Sequence, residues 1–199
     1  MFSGDPEAIE TVASRRILVA LGGGIACYKV AAVVSTLAQA GAEVHVAMTD
    51  AATKFVTPLT FEALSGRAVY HDAWASPQPG DPQHIRLAKS IDVALVAPCT
   101  MDLLAKLVHG FTDDPVSLLV SAIDRRQRPV LLAPSMNDVM WHQPATQRNL
   151  ADATRDGFTV LTPEAGWQAC RTVGVGRLPE PDQLVEAIEA AIRDRATSS

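Results

Sequence analysis

Three side chains in this sequence are of types that do chemistry from well-defined positions: Asn137, His84 and Cys170. Asn137 lies in the stretch Ala-Pro-Ser-Met-Asn-Asp-Val-Met-Trp, residues 133–141. It directly follows a short apolar run with the length and flanks of a buried strand. The carboxyl ends of such strands are where open α/β sheets bind their ligands. An amide both donates and accepts, which suits it to a carboxylate or a peptide-like group. Met136, Met140 and Trp141 make an apolar, water-poor wall around it; the same residues also fit a plain strand-to-helix turn with Asn137 as cap. His84 heads His-Ile-Arg-Leu-Ala-Lys, delivered by the breaker-rich loop of residues 76–82. A place at a helix N-terminus favours the neutral, proton-accepting imidazole, although a lone histidine is more often a cap or a surface residue. Cys27, Cys99 and Cys170 form neither an even framework nor a C-x-x-C pair, so they read as reduced thiols of which at most one is chemical. Cys99 fits a small buried hydrophobe better than a nucleophile.

The hydrophobic pattern supplies alternating strands and helices to position these groups. Residues 16–21 form the first strand, ended by Gly22-Gly23-Gly24, and residues 25–40 carry helical periodicity up to Gly41. Three glycines there let backbone amides approach an anion at a helix N-terminus, or simply make a tight turn. Their spacing is not G-x-G-x-x-G, so a nicotinamide dinucleotide is poorly supported. A second strand, 44–48, ends at Thr49-Asp50-Ala51, and a helix follows Thr57-Pro58 as far as Gly66. Further strands are expected at 92–97 and 158–161, and helices from His84, after Pro115, over 142–156 and over 182–193. Asp113 and Asp114 are placed to cap the helix after them, with Pro115 suited to its first turn. This alternation implies an α/β fold, a parallel sheet of about six strands with helices on both faces. The apolar loop from Gly166 to Pro181 is too long and too specific to be a linker, which points to function.

A chain of 199 residues fits one domain with a sizeable core. The expected division is a tail at 1–14, a domain at 15–193 with a flap at about 163–181, and a second tail at 194–199. Hydrophobic content is 48% with only 5% aromatic, and the excess of Ala, Val and Leu suits parallel strands covered on both sides. A net charge of -5 without a basic cluster gives a nucleic-acid role no electrostatic support. No apolar run is long enough to span a bilayer, and the acidic first residues do not fit a secretory signal, so no membrane association and a cytoplasmic location are expected. Two adjacent acids without further ligands make no metal site, and no zinc pattern is present; no metal is expected.

The Asn137 stretch resembles the Pro-x-Met-Asn-x-x-Met-Trp motif of the homo-oligomeric flavin-containing cysteine decarboxylase family. Three other stretches are similar to that family's motifs in the same order. Residues 23–26 match its Gly-Ser/Gly-Ile/Val-Ala turn, and residues 84–87 its His-Ile-x-Leu. Residues 169–181 match its Ala-Cys-Gly-x-x-Gly-x-Gly-Arg-Met-x-Glu-Pro flap, and the resemblance runs from about Arg16 to Ala190. It implies a Rossmann-like (flavodoxin-like) fold and an FMN cofactor. The implied cofactor residues are Gly23, Gly24, Ile25, Thr49, Ala51, Phe55, Thr100, Met101, Asp102, Leu103 and Ser135, with Thr49 favoured over Asp50. It makes His84 the base, Asn137 the carboxylate ligand and Cys170 the proton donor, with Asn137, Met140, Lys89 and Ala169 against the substrate. Lys89 equally fits a solvated helix charge.

The implied activity is decarboxylation of 4'-phosphopantothenoylcysteine to 4'-phosphopantetheine in coenzyme A biosynthesis, by thiol oxidation, CO2 loss and re-reduction of the enethiol. The alternatives are a peptidyl-cysteine decarboxylase that performs only the oxidative half, a flavin prenyltransferase, and a flavin-binding regulatory homologue without turnover. The prenyltransferase branch is not expected to carry the paired Asn137 and Cys170 motifs, and the regulatory homologue is expected to have lost His84, Asn137 or Cys170. The family's assembly implies a homotrimer, or a dodecamer of trimers, with FMN between subunits. Many relatives are fused to a synthetase, so a separate ligase is expected here. Two residues depart from the flap motif: Arg171 replaces glycine and Leu178 replaces methionine. Arg171 matters more, because it sets a side chain where unusual dihedrals are expected. Ala51 stands where some relatives carry serine, which removes one hydrogen bond to the cofactor.

Overall fold

The computed structural model describes residues 11–75 and 80–197. Five parallel strands form the main sheet: β1 (Arg16–Leu21), β2 (Glu43–Met48), β3 (Val93–Cys99), β4 (Val130–Pro134) and β5 (Thr159–Val160), in the order β2-β1-β3-β4-β5. Among the described residues, the helices that connect or flank them are α1 (Cys27–Gln39), α2 (Pro58–Ser65), α3 (Gln83–Ser90), α4 (Met101–His109), α5 (Pro115–Ser121), α6 (Asp138–Trp141), α7 (Pro144–Arg155) and α8 (Pro181–Thr197). Two more strands, β6 (Glu164–Trp167) and β7 (Val173–Arg177), pair antiparallel as a separate hairpin. The main sheet thus has five strands where about six were anticipated. The stretch read as a long loop is a hairpin, and the last helix runs to Thr197.

Side-chain alternation explains why the sheet is covered on both faces. Ile17, Val19, Leu21, Val93, Leu95, Ala97, Leu131 and Ala133 point to one face, where Val30, Val33, Val34 and Leu37 of α1 meet Leu184, Ile188 and Ile192 of α8. Their neighbours Leu18, Ala20, Ala94, Val96, Val130 and Leu132 point to the other, against Leu87 of α3, Leu103, Leu104 and Leu107 of α4, and Val116, Leu119 and Val120 of α5. Because both faces are buried, these strands read as continuous apolar runs rather than alternating ones. Each fully buried aliphatic side chain contributes about 1.5–3 kcal/mol.

The order of strands decides where a ligand goes. From β1 the chain moves outward to β2, then returns across β1 to β3. The loops leaving β1 and β3 therefore diverge, opening a crevice at their carboxyl ends. Among the described residues no helix is long and apolar enough to cross a membrane. No group of three or more His, Cys, Asp or Glu side chains there is arranged to hold a metal ion.

Candidate active site

A cavity of about 970 Å³ opens at the carboxyl ends of β1, β2, β3 and β4. Its floor is made of three turns. The first is Gly22-Gly23-Gly24, whose compactness has a steric cause: a Cβ on Gly23 would stand 2.3 Å from Cβ of Ala51, and one on Gly22 2.6 Å from the Pro98 carbonyl. The turns after β1, β2 and β3 are packed that closely. Within the described residues the amides of Gly23, Ile25 and Ala26 have no acceptor, and they precede α1. The second turn brings Thr49, whose Oγ1 accepts from the Ala52 amide at 3.1 Å and keeps its own proton to donate. The third brings Thr100, which caps α4 by accepting from Leu103 N at 3.2 Å and is likewise left with a proton.

The opposite wall is the Asn137 stretch together with the hairpin. Asn137 caps α6: its Oδ1 accepts from Val139 N at 2.9 Å. That contact fixes the amide orientation, and Nδ2 then donates to Sγ of Cys170 at 3.2 Å. The hairpin lies on this segment because Gly176 permits it. Its φ is +121°, Met136 N donates to its carbonyl at 2.9 Å, and a Cβ there would stand 2.2 Å from Met136 O. Asp138 Oδ1 accepts from Val175 N at 2.8 Å, and the buried Gln168 bridges the same two segments. Cys170 is exposed, and its hydrogen bonds with Thr172 and then Asn137 draw its thiol below the usual range. Burial pushes Cys99 up to about 12 and raises Cys27 as well, so these two are packing residues.

Of the residues singled out in the sequence, Gly23, Gly24, Ile25, Thr49, Ala51, Thr100, Met101, Asp102, Leu103, Ser135, Asn137, Met140, Ala169 and Cys170 line this one cavity. His84, Lys89 and Phe55 do not line it. His84 occupies the first turn of α3 and is half-buried, while Lys89 is exposed on the same helix. Phe55 is exposed after the short helical turn Ala52–Lys54. Asp114, not Asp113, caps α5, in a capping box with Ser117.

A family model described as Flavoprotein matches residues 7–193. The chain belongs to this family. Among curated relatives, the coenzyme A biosynthesis bifunctional protein CoaBC of Vibrio vulnificus is 44% identical over 181 residues, covering 91% of this chain and 44% of that protein. The chain thus spans less than half the length of such bifunctional relatives. A probable phosphopantothenoylcysteine decarboxylase of Streptococcus mutans is 38% identical over 176 residues, covering 88% of this chain and 98% of that one. Among solved structures, a cysteine-to-serine variant of PPC decarboxylase complexed with pantothenoylaminoethenethiol aligns with a TM-score of 0.82 at 28% identity, over 89% of this chain and 97% of that one. The FMN-dependent cysteine decarboxylase SpaF aligns at 0.77 and 27% identity, over 94% and 99%.

Within this member of the Flavoprotein family, three cavity residues carry no sequence signal that isolates them. Lys29 follows Cys27 by two positions on α1, and its Nζ meets Glu180 Oε1 at 2.7 Å. Lys106 on α4 holds Asp113 and Asp114 at 3.1 Å each; partial burial opposes its charge, yet these hydrogen bonds raise its pKa overall. Gln168 precedes Ala169 and is 7% exposed. The i,i+4 spacing of Asp102 and Lys106 is in itself a cue to a helix-surface ion pair.

Proposed function

We propose that this chain is a phosphopantothenoylcysteine decarboxylase, converting 4'-phosphopantothenoylcysteine to 4'-phosphopantetheine with FMN as cofactor, a step of coenzyme A biosynthesis. The observation that carries this reading is the pairing of Asn137 with Cys170, 3.2 Å apart on the wall of the cavity that the three turns enclose. An amide able to bind a carboxylate beside an acidic thiol is what decarboxylation at a cysteine requires. The names of the relatives support it, and so does the pantothenoylaminoethenethiol held by a cysteine-to-serine variant of PPC decarboxylase.

The cradle fits FMN on the chemistry of its own groups. Amides of Gly23, Ile25 and Ala26 at the head of α1 suit a phosphate. Hydroxyls of Thr49, Thr100 and Ser135 suit a polyol chain, and Ile25, Met101 and Leu103 suit an aromatic ring. When bound, FMN supplies a two-electron acceptor that turns the substrate thiol into an electron sink beside the carboxylate, and it later returns the pair. The chain's residues do the rest. Asn137, its Oδ1 engaged by Val139, directs Nδ2 to the carboxylate. Met136 and Met140 keep water from it. Cys170 protonates the enethiol left after CO2 departs, and His84 is the base of the oxidative half.

His84 and Lys89 lie outside the cavity of their own chain, so this reading requires a second copy. We infer a homotrimer, alone or as a dodecamer of trimers, in which α3 of one copy faces the cavity of the next. Ile25, Tyr28, Phe55 and Leu59 are 48–70% exposed along the first two turns and the start of α2, an apolar surface suited to such a contact. A cytoplasmic location belongs to the same reading. The test is product identification: purified protein is yellow, releases FMN on denaturation, and anaerobically yields 4'-phosphopantetheine from 4'-phosphopantothenoylcysteine by mass spectrometry. An enethiol end product would place the chain with the oxidative-only decarboxylases. Absence of CO2 would place it with the non-catalytic flavin binders, and a colourless protein that does not take up FMN would overturn the cofactor assignment.

A further inference from the structure

The turn that joins the two strands of the hairpin contains a hydroxyl with two possible acceptors. Thr172 Oγ1 lies 3.0 Å from Cys170 Sγ, with either atom able to donate, and 3.5 Å from Gln168 Oε1. The Gln168 amide is not free to flip. Its Nε2 donates to Val175 O at 2.9 Å and to Met136 O at 3.3 Å, and its Oε1 accepts from Asp138 N at 3.2 Å. Oε1 is therefore an acceptor only. The turn itself is closed by Gln168 N donating to Thr172 O at 2.8 Å and Arg171 N donating to Gln168 O at 2.9 Å, which fixes Thr172 beside Cys170.

We propose that Thr172 is a positioning residue for proton delivery, its hydroxyl turning from Gln168 Oε1 to Cys170 Sγ as the thiol becomes a thiolate. While Cys170 holds its proton, S–H donates to Thr172 Oγ1, at 3.0 Å the nearer acceptor beside Gln168 Oε1 at 3.6 Å, and the threonine O–H donates to Gln168. When the S–H bond breaks, the proton goes to the enethiolate carbon, which binds it with the electron pair of its own double bond. The S–H pair stays on sulfur, where the Thr172 hydroxyl and Asn137 Nδ2 both donate to it. The thiolate takes a proton from water after product leaves. The downward shift of the Cys170 thiol, which makes it the stronger acid, is in keeping with hydrogen bonds from Thr172 and Asn137. Arg171 in the turn, and Asp138 and His142 on the facing helix, are the nearby charged or titratable groups in these elements; none is hydrogen-bonded to Sγ among the described residues, and all are retained in the variants below.

The proposal rests on the decarboxylase reading for its chemistry but not for its test. The holoprotein and its Thr172→Val and Thr172→Ser variants are alkylated with iodoacetamide across pH, and modification of the Cys170 peptide is followed by mass spectrometry. Cys27 and Cys99 are fully buried and do not compete. Thr172→Val keeps the shape and is expected to move the midpoint up by about one pH unit, roughly tenfold slower alkylation on the rising limb; Thr172→Ser returns it to the wild-type value. An unchanged midpoint in Thr172→Val, or equal shifts in both variants, overturns the proposal. With 4'-phosphopantothenoylcysteine, Thr172→Val is expected to release CO2 normally and accumulate enethiol. Wild-type protein that releases no CO2 overturns the decarboxylase reading, while the alkylation midpoint still decides the role of Thr172.

Discussion

The two walls of the cavity are held by different means. The cradle of Gly22–Gly24, Thr49 and Thr100 sits on strand ends of the buried parallel sheet, and its shape is enforced by close packing: an added Cβ would stand 2.3 Å from Ala51 Cβ at Gly23 and 2.6 Å from the Pro98 carbonyl at Gly22. Among the described residues, the hairpin β6–β7 is not paired with any strand of the main sheet. It is fastened by one backbone hydrogen bond, Met136 N to Gly176 O at 2.9 Å, and otherwise by side chains: Gln168 and Asp138 to the Asn137 segment, and Glu180 to both Lys29 at 2.7 Å and Arg177 at 2.9 Å. A wall fixed by packing has one shape, whereas a wall fixed by a few polar contacts opens locally at lower cost. On the proposed reading, cofactor retention belongs to the first wall, and substrate entry with proton delivery to the second.

The largest expected effect comes from removing chemistry without touching either wall's shape. Cys170→Ser should retain FMN and CO2 release while formation of saturated product falls by roughly 10²–10⁴-fold. His84→Asn should lose the oxidative half by a similar factor, again with FMN unchanged. Anaerobic flavin bleaching and product mass separate the two, and full turnover in either variant removes that residue from the mechanism.

Breaking the cradle comes next. Gly23→Ala forces its new methyl against Ala51 and should destabilise the fold by about 1–3 kcal/mol, with loss of bound flavin. Denaturant midpoints and flavin content measure it; a variant of wild-type stability that stays yellow would mean the turn is looser than its geometry states. On the other wall, Gln168→Leu strands the Asp138 amide and should cost about 1–3 kcal/mol locally. Hydrogen exchange is expected to rise in residues 164–177 while the main sheet stays protected. Uniform loss of protection would show that the walls are not separable.

The smallest effect has the opposite sign. Arg171 has φ of +65°, a left-handed conformation that costs a non-glycine residue about 1–2 kcal/mol, so the dihedral expected where glycine is replaced is present. Arg171→Gly removes that strain but adds chain entropy to the unfolded state, leaving a net gain of roughly 0.5–1 kcal/mol confined to the hairpin. Lower protection of residues 168–172 in that variant would mean the arginine side chain steadies the turn more than its backbone strains it.

Most of the cradle was legible because each of its parts is local. A strand, a breaker and a helix start are written in consecutive residues, so Gly22–Gly24, Thr49 and Thr100 could be placed at strand ends from periodicity alone. The hairpin was not legible as one: Gly166, Gly174 and Gly176 interrupt its alternation, and its pairing partners are separated by the turn that carries Cys170. Asn137 illustrates the limit well, since the cap reading and the binding reading were alternatives in the sequence; the fold shows the cap, through Oδ1, and leaves Nδ2 at the cavity wall against Cys170 Sγ.

The sequence by itself determined the α/β class, the strand ends and the residue types gathered at them, because hydrophobic period and turn chemistry act over a few residues. Only the tertiary structure decided that Asn137 and Cys170, 33 positions apart, touch, that Lys29 reaches Glu180, and that His84 and Lys89 stay outside the cavity of their own chain. Those outcomes depend on strand order and on where a hairpin folds back, which no local pattern encodes.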